Sequence, residues 1–189
     1  LESVRMMAET KHETELSDTL YALGSLLRYN MSWKTQNVTL KDEIDNIRKY
    51  IYLINIIHNI QAVLDIDIPP QCEEAEIPKL SLQPLVENAI KYGIEPSLQP
   101  GHILVRTRKT DDDIQILVKD NGCGMDEAQL TFYRRLLRND LSGQTNIGVR
   151  NVARRLQLHF GGRCGFNVSS RPGDGLSITI RIPAQEEQS

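Results

Sequence analysis

A change of hydrophobic period near residue 63 constrains this chain most. Residues 1–63 hold no proline and a single glycine, Gly24. Within them Leu16, Leu20, Leu23 and Leu27, and then Leu40, Ile44, Ile47, Ile51 and Ile54, recur at alternating spacings of four and three. That spacing predicts helices that pack on helices. Thr39, with Asp42 three residues on, predicts an N-cap and a capping-box partner at the start of the second long helix. The polar stretch Asn30 to Val38, with the lone Trp33, is then the turn of a helical hairpin. Such a hairpin buries little alone, and pairing with a second copy into a four-helix bundle is the expected solution.

After residue 63 the period drops to two. Val63 to Ile68 alternates like a strand and stops at Pro69-Pro70. A helix is predicted over Leu82–Lys91, followed by strands Ile103–Arg108 and Ile114–Lys119 joined as a hairpin at Thr110-Asp111-Asp112. A helix from Asp126 to Arg138, a polar stretch from Asn139 to Asn146, and an amphipathic helix come next. That last helix places Val149, Val152, Ala153, Leu156 and Phe160 on one face. Strands Cys164–Ser169 and Leu176–Ile182 flank the turn Arg171-Pro172-Gly173-Asp174-Gly175. Strands and helices mix without βαβ alternation, which predicts an α+β two-layer sandwich behind the hairpin.

The formal net charge of −3 argues against nucleic acid or an anionic membrane as the main partner. The arginines of residues 134–155 are spread among apolar positions and fit a solvated helix face. Cys72, Cys123 and Cys164 form no Cys-x-x-Cys pair, so neither zinc nor a disulfide framework is predicted. No apolar run reaches the roughly 18 residues that span a bilayer. The chain starts at Leu1 in helical register without a signal peptide, and is expected to be a piece of something longer. His12, His58, His102 and His159 show no metal-ligand spacing, and P-loop and protein-kinase designs are absent.

The chemistry-bearing residues fall in three places. On the Leu82–Lys91 helix, Asn88, Lys91 and Tyr92 share a face away from Leu82, Leu85, Val86, Ala89 and Ile90. An amide oxygen, an ammonium and a ring there suit a magnesium ion, a phosphate and a nucleoside. The same residues fit a solvated Glu87–Lys91 ion pair and a surface amide. Asp120-Asn121-Gly122-Cys123-Gly124-Met125 ends a strand with a carboxylate and bare backbone, where a flat base can approach and donate its amine to Asp120. Asn-Gly also fits a hairpin turn, but the acidic helix start at Asp126-Glu127 argues for a ligand loop. Third, Asn146-Ile147-Gly148-Val149 opens a helix at a glycine, which suits a phosphate or an ordinary N-terminus. Gly143 and the polar residues before it are expected to form a lid over bound nucleotide.

In this order, these residues resemble the catalytic part of sensor histidine kinases, members of the GHKL ATPases alongside gyrase, the heat-shock chaperone and mismatch-repair MutL. Leu82-Gln83-Pro84-Leu85-Val86-Glu87-Asn88-Ala89-Ile90-Lys91-Tyr92-Gly93 is similar to the N box of the LytS/YesM-type subfamily. Asp120 to Met125 resembles the G1 box, and Ile147-Gly148-Val149-Arg150-Asn151-Val152 the G2 region. Ser170 to Gly175 is also family-like, and Leu26-Leu27-Arg28-Tyr29 with Leu40-Lys41-Asp42-Glu43 resembles the subfamily's dimerisation helices. The chain departs from the subfamily at Tyr92, where histidine is common, and at Leu176-Ser177, where threonine follows the last glycine.

The resemblance implies a GHKL-type two-layer sandwich with a mixed sheet covered by helices on one face. Residues 1–63 would be a dimerisation region and 64–189 the ATP-binding catalytic domain. It implies ATP and Mg2+ as cofactors. Asn88 would bind the metal, Lys91 a phosphate, Tyr92 the adenine face and Asp120 the adenine amine. Gly122, Gly124 and Met125 would shape the base pocket, and Gly148 and Val149 would lie beneath the phosphates. Glu87, with Asn88, would be catalytic, orienting a water or the acceptor histidine. That acceptor lies in a His-Phe-Leu-Tyr-Asn run expected just before Leu1, so this chain is not expected to phosphorylate itself. The implied partners are a second copy, through the N-terminal helices, and a response-regulator receiver domain, with no nucleic acid. The implied location is the cytoplasmic side of a bacterial membrane protein whose membrane segments lie outside this chain. Two alternatives remain: a non-catalytic GHKL scaffold, and an anti-sigma-type serine kinase.

Overall fold

A computed structural model of the chain describes residues 2–11, 13–32, 36–97, 99–138 and 147–184. The polar stretch 139–146, which includes the residues expected to form a lid, lies outside the described residues, as do Trp33 and His12. The N-terminal third forms α1 (Glu2–Thr10), α2 (Thr14–Met31) and α3 (Leu40–His58). The predicted capping box is present: Thr39 Oγ1 accepts from Asp42 N and the Asp42 carboxylate accepts from Thr39 N, each at 3.1 Å. The residues before it are not simply a turn. Asn37–Thr39 forms a short strand, β1, antiparallel to β3 (Glu76–Pro78). A three-residue strand whose partner is nearly forty residues away carries no period of its own.

The leucine–isoleucine seam also divides. Leu40, Ile44, Ile47 and Ile51 of α3 are buried with Ile77, Leu82 and Val86 in the main core, not against α2. Helix α2 meets α3 instead through Ala22, Leu26 and Leu53, with Leu23 and Tyr50 packed beside them. Leu16, Tyr21 and Leu27 stay exposed. Spacings of three and four identify an apolar helix face; they do not say which element covers it.

The second part is built on one five-stranded sheet in the order β2 (Val63–Asp67), β4 (His102–Lys109), β5 (Asp113–Asp120), β7 (Leu176–Pro183), β6 (Gly165–Ser170). Strand β2 runs parallel to β4, and the other neighbours are antiparallel. Alternation puts Ile103, Val105, Ile114, Ile116, Val118, Ile178, Ile180 and Ile182 on one buried face, while Lys119, Gln115 and Arg181 point to solvent. Each such aliphatic contributes about 1.5–3 kcal/mol of burial. The buried face is covered by α3, α5 (Gln83–Asn88), α6 (Glu127–Leu137) and α7 (Ile147–Phe160). Helix α6 starts in a capping box between Asp126 and Gln129. All the residues predicted for the apolar face of α7, from Val149 to Phe160, are buried. A short α4 (Pro70–Glu73) begins at the double proline. The result is the α+β mixed-sheet architecture.

Candidate functional site

The predicted Leu82–Lys91 helix is regular only as far as Asn88. From Ala89 to Ile94 it widens into a π-helical turn, with Glu95 N donating to Ile90 O at 2.9 Å. Such widened turns recur at functional sites. Its end is pressed onto the loop after β5. A Cβ on Gly93 would stand 2.8 Å from Asp120 Oδ1, and one on Gly122 would stand 2.3 Å from the Gly93 backbone. Gly93 O accepts from Cys123 N at 2.9 Å. Backbone thus meets backbone where the helix and the glycine loop join.

Asp120 is the charged residue buried at this junction, 3% exposed. Its Oδ1 accepts from Gly122 N at 2.8 Å and from Leu176 N at 3.2 Å. Burial raises its pKa above the ordinary value, and the two amides oppose that shift. Both amide bonds fall on Oδ1, which leaves Oδ2 for a ligand amine. Asn88 is buried close by, and its Nδ2 donates to the hydroxyl of Tyr133 on α6 at 3.3 Å. With the amide nitrogen so engaged, the hard oxygen is the end that can serve a cation.

The far wall is the turn before β7. Gly124 has φ +67° and Gly175 φ +72°. A Cβ on Gly124 would lie 1.9 Å from Arg171 O, and one on Gly175 2.0 Å from Asp120 O. Only glycine combines that conformation with that approach. Ser170 Oγ accepts from Met125 N at 2.9 Å and donates to Gly175 O at 2.6 Å, while Gly173 N donates to Cys123 O at 2.8 Å. The two glycine segments are therefore laced together.

Asn88, Tyr92, Gly93, Asp120, Gly124, Met125 and Leu176 line one cleft with about 10 Å³ of water-accessible space. That is room for roughly one water, so a purine requires the half-exposed Tyr92 or Met125 to swing aside. Lys91 is exposed, with Nζ 5.3 Å from the centre of the Tyr92 ring. Gly122 stands behind the cleft, against Gly93. Glu87 turns the other way, accepting from Gln83 Nε2 at 2.6 Å. Gly148 is exposed beside Pro84, and Val149 is buried in the core. Gly93, Ser170, Tyr133 and the Leu176 amide were not singled out from sequence. Gly93 closes the run similar to the N box and Ser170 opens the family-like run before β7, so both carried a signal, whereas Tyr133 carried none.

Among the described residues no group of three His, Cys, Asp or Glu side chains could hold a metal. A magnesium ion here would therefore rest on Asn88 together with ligand phosphates and water, a usual arrangement for that ion.

Residues 75–186 match the family described as "Histidine kinase-, DNA gyrase B-, and HSP90-like ATPase", and residues 1–62 match a histidine kinase family. Sensor histidine kinase YesM of Bacillus subtilis (strain 168) is 34% identical over 187 residues, 99% of this chain and 31% of that protein. The chain thus spans about a third of the length of the curated relatives it matches. In structure it resembles the histidine kinase domain of the Erythrobacter litoralis EL346 blue-light activated histidine kinase. That match has a TM-score of 0.54 at 16% identity, covering 96% of this chain and 84% of the other. Acinetobacter baumannii histidine kinase AdeS gives a TM-score of 0.55 at 14% identity, covering 94% and 81%. At these identities the structural matches show the fold.

Proposed function

The chain belongs to the histidine kinase-, DNA gyrase B- and HSP90-like ATPase family, and from that premise we propose that it is the ATP-binding part of a two-component sensor histidine kinase. Its ligand is Mg·ATP, and the γ-phosphoryl passes to a histidine N-terminal to Leu1. One observation carries the reading: a buried carboxylate, Asp120, is held by backbone amides through one oxygen, beside a buried Asn88 whose amide nitrogen is already engaged. Asp120 accepts the adenine amine. Tyr92 and Met125 flank the base, and Gly122 and Gly124 let the loop close on it. Asn88 holds the magnesium ion, and Lys91 reaches a phosphate. Gly148 and Val149 face the phosphates through backbone amides at the start of α7.

In-line transfer to an imidazole nitrogen asks mainly for positioning and charge neutralisation. A bound magnesium ion supplies part of that neutralisation on the phosphate oxygens. Glu87, one residue from Asn88, orients the acceptor. Exposed Leu16, Tyr21 and Leu27 on α2 support pairing with a second copy. A receiver domain is the onward acceptor. No helix among the described residues is long and apolar enough to cross a membrane, so membrane attachment, on this reading, belongs to segments outside the chain.

The test uses labelled ATP with this chain alone and with the same protein extended N-terminally through its acceptor segment. Acid-labile, base-stable phosphate is expected only in the extended protein. Label on this chain alone, or a serine phosphate in either, overturns the assignment. The narrow cleft favours a second reading, a non-catalytic scaffold. Absence of ATP-analogue binding would select it.

A further inference from the structure

Helix α3 presents a second stripe beside its apolar one: Glu43, Asn46 and Tyr50, at spacings that stack on one side of a helix. Glu43 is fully buried, and both its oxygens are used. Oε1 accepts from the Tyr29 hydroxyl of α2 at 2.5 Å and from Leu80 N at 2.7 Å, and Oε2 accepts from Leu82 N at 2.8 Å. Leu80 is in the left-handed region at φ 60°, and its carbonyl accepts from Arg155 of α7. The segment leading into α5 is therefore pinned from both sides.

One turn along α3, Asn46 Nδ2 donates to Gln83 Oε1 at 2.5 Å, and Gln83 Nε2 donates to Glu87 Oε1 at 2.6 Å. Asn46 and Gln83 are buried. This relay has a direction. An amide offers its hydrogens at one end only, so the donor supplied by Asn46 compels Gln83 to turn its own donor toward Glu87. Tyr50, another turn on, has its phenol pushed up chiefly by burial and further by the charges of Glu87 and Glu95.

We propose that Asn46 is a positioning residue for phosphoryl transfer: acting through Gln83, it fixes the carboxylate of Glu87 on the side of α5 that faces α3, so that the helical hairpin and not the sheet sets where that acid stands. This rests on the kinase reading given above. Glu43 supplies the rigid joint that the arrangement needs. A buried carboxylate with three donors is costly to pull away, so α3 and α5 move together. The nucleotide cleft, built on Asp120 and the glycine loops, does not include Asn46 or Gln83.

The decisive variants are Asn46→Asp, which is isosteric and reverses the relay, and Asn46→Leu, which removes it. Both are made in the protein carrying the acceptor histidine and, in parallel, in this chain. In the first, phosphohistidine formation at saturating ATP should slow about tenfold or more, the usual consequence of losing a hydrogen bond to a charged group. Affinity for an ATP analogue should hold within about twofold, because the cleft does not use Asn46. In this chain alone, the Gln83 side-chain amide resonances should move in both variants. Unchanged rates in either variant overturn the proposal. So does a fall in analogue affinity parallel to the fall in rate, since that marks structural support only. Absence of phosphohistidine in the wild-type protein sinks the kinase reading. The Gln83 resonances then still decide whether Asn46 sets Glu87's partner, and unmoved resonances reject the relay.

Discussion

Replacing Asp120 by asparagine separates the pocket's architecture from its chemistry. Oδ1 already accepts from Gly122 N and Leu176 N. An asparagine satisfies both amides only by placing its own oxygen there. On the proposed function, its NH2 group then occupies the Oδ2 position and meets the adenine amine donor to donor. The variant loses one charge-assisted acceptor, about 2–3 kcal/mol, or roughly 30- to 150-fold in affinity. Folding stability should change by less than about 1 kcal/mol, because the loop's own bonds survive. The pH dependence follows from the raised pKa of Asp120. A group whose folded pKa lies above its ordinary 3.8 contributes stability that is full below 3.8 and is lost as pH rises through the folded value. The unliganded chain should therefore lose part of its stability across that window. Analogue affinity should run the opposite way, falling on acidification as the carboxylate protonates, and Asp120→Asn should flatten both slopes. Calorimetry with an ATP analogue and thermal unfolding over the same pH series read the two together. Equal affinity in both proteins refutes the pocket assignment. So does an affinity loss accompanied by a collapse in stability, which would make Asp120 a structural residue.

Other perturbations test separate parts. Glu43→Ala strands the Leu80 and Leu82 amides and the Tyr29 hydroxyl. It should cost about 3–5 kcal/mol and lower the unfolding midpoint by roughly 10 °C, whereas Tyr29→Phe should cost about half as much. Gly124→Ala forces a Cβ against Arg171 O at positive φ; analogue binding should be lost with the far-UV spectrum intact, and retained binding would show that the turn yields. Thiol labelling should separate the three cysteines: exposed Cys123 reacts, buried Cys72 does not, and Cys164, whose thiol burial pushes up to about 11, reacts slowly at neutral pH. Bound analogue should protect Cys123, whose Sγ lies 3.1 Å from Tyr92 O at the cleft edge.

The parts of this fold that were legible are those with a local period. The apolar face of α7, the hairpin at Thr110-Asp111-Asp112 and the capping box at Thr39 each declare themselves within about ten residues, and each is present. What sequence could not show depends on backbone brought in from far away. The Leu176 amide reaches Asp120 across 56 residues, and the strand at Asn37–Thr39 exists only because Glu76–Pro78 comes alongside it. Asn88, Tyr92, Asp120, Gly124 and Met125 were expected together and line one cleft, because a helix face and a strand-end loop carry recognisable residue types. Lys91, Gly122, Gly148 and Val149 do not line it. The π-helical turn after Asn88 shifts the face beyond it, and a regular helix of 3.6 residues per turn could not foresee that.

On α3 every residue of the polar stripe directly precedes an apolar one: buried Glu43 before Ile44, buried Asn46 before Ile47, and half-buried Tyr50 before Ile51. Successive residues differ by about 100° around a helix, so the two stripes lie side by side. The apolar stripe alone would tolerate sliding or a small rotation, since burial is non-directional. The polar stripe does not. A rotation by one residue takes Glu43 off the Leu80 and Leu82 amides and Asn46 off Gln83, stripping a buried carboxylate, two backbone amides and two buried side-chain amides of these bonds. A movement of the hairpin can thus reach α5 in two ways: by carrying the Asn88 helix with it, or by breaking this joint at a cost of several kcal/mol. On the proposed function these alternatives make opposite demands on signalling. The first moves Glu87 and Asn88 together against the Asp120 loop, and the second frees the ATP-binding half. Hydrogen exchange at the Leu80 and Leu82 amides in the full protein distinguishes them: protection in both signalling states requires the first, and loss in one requires the second.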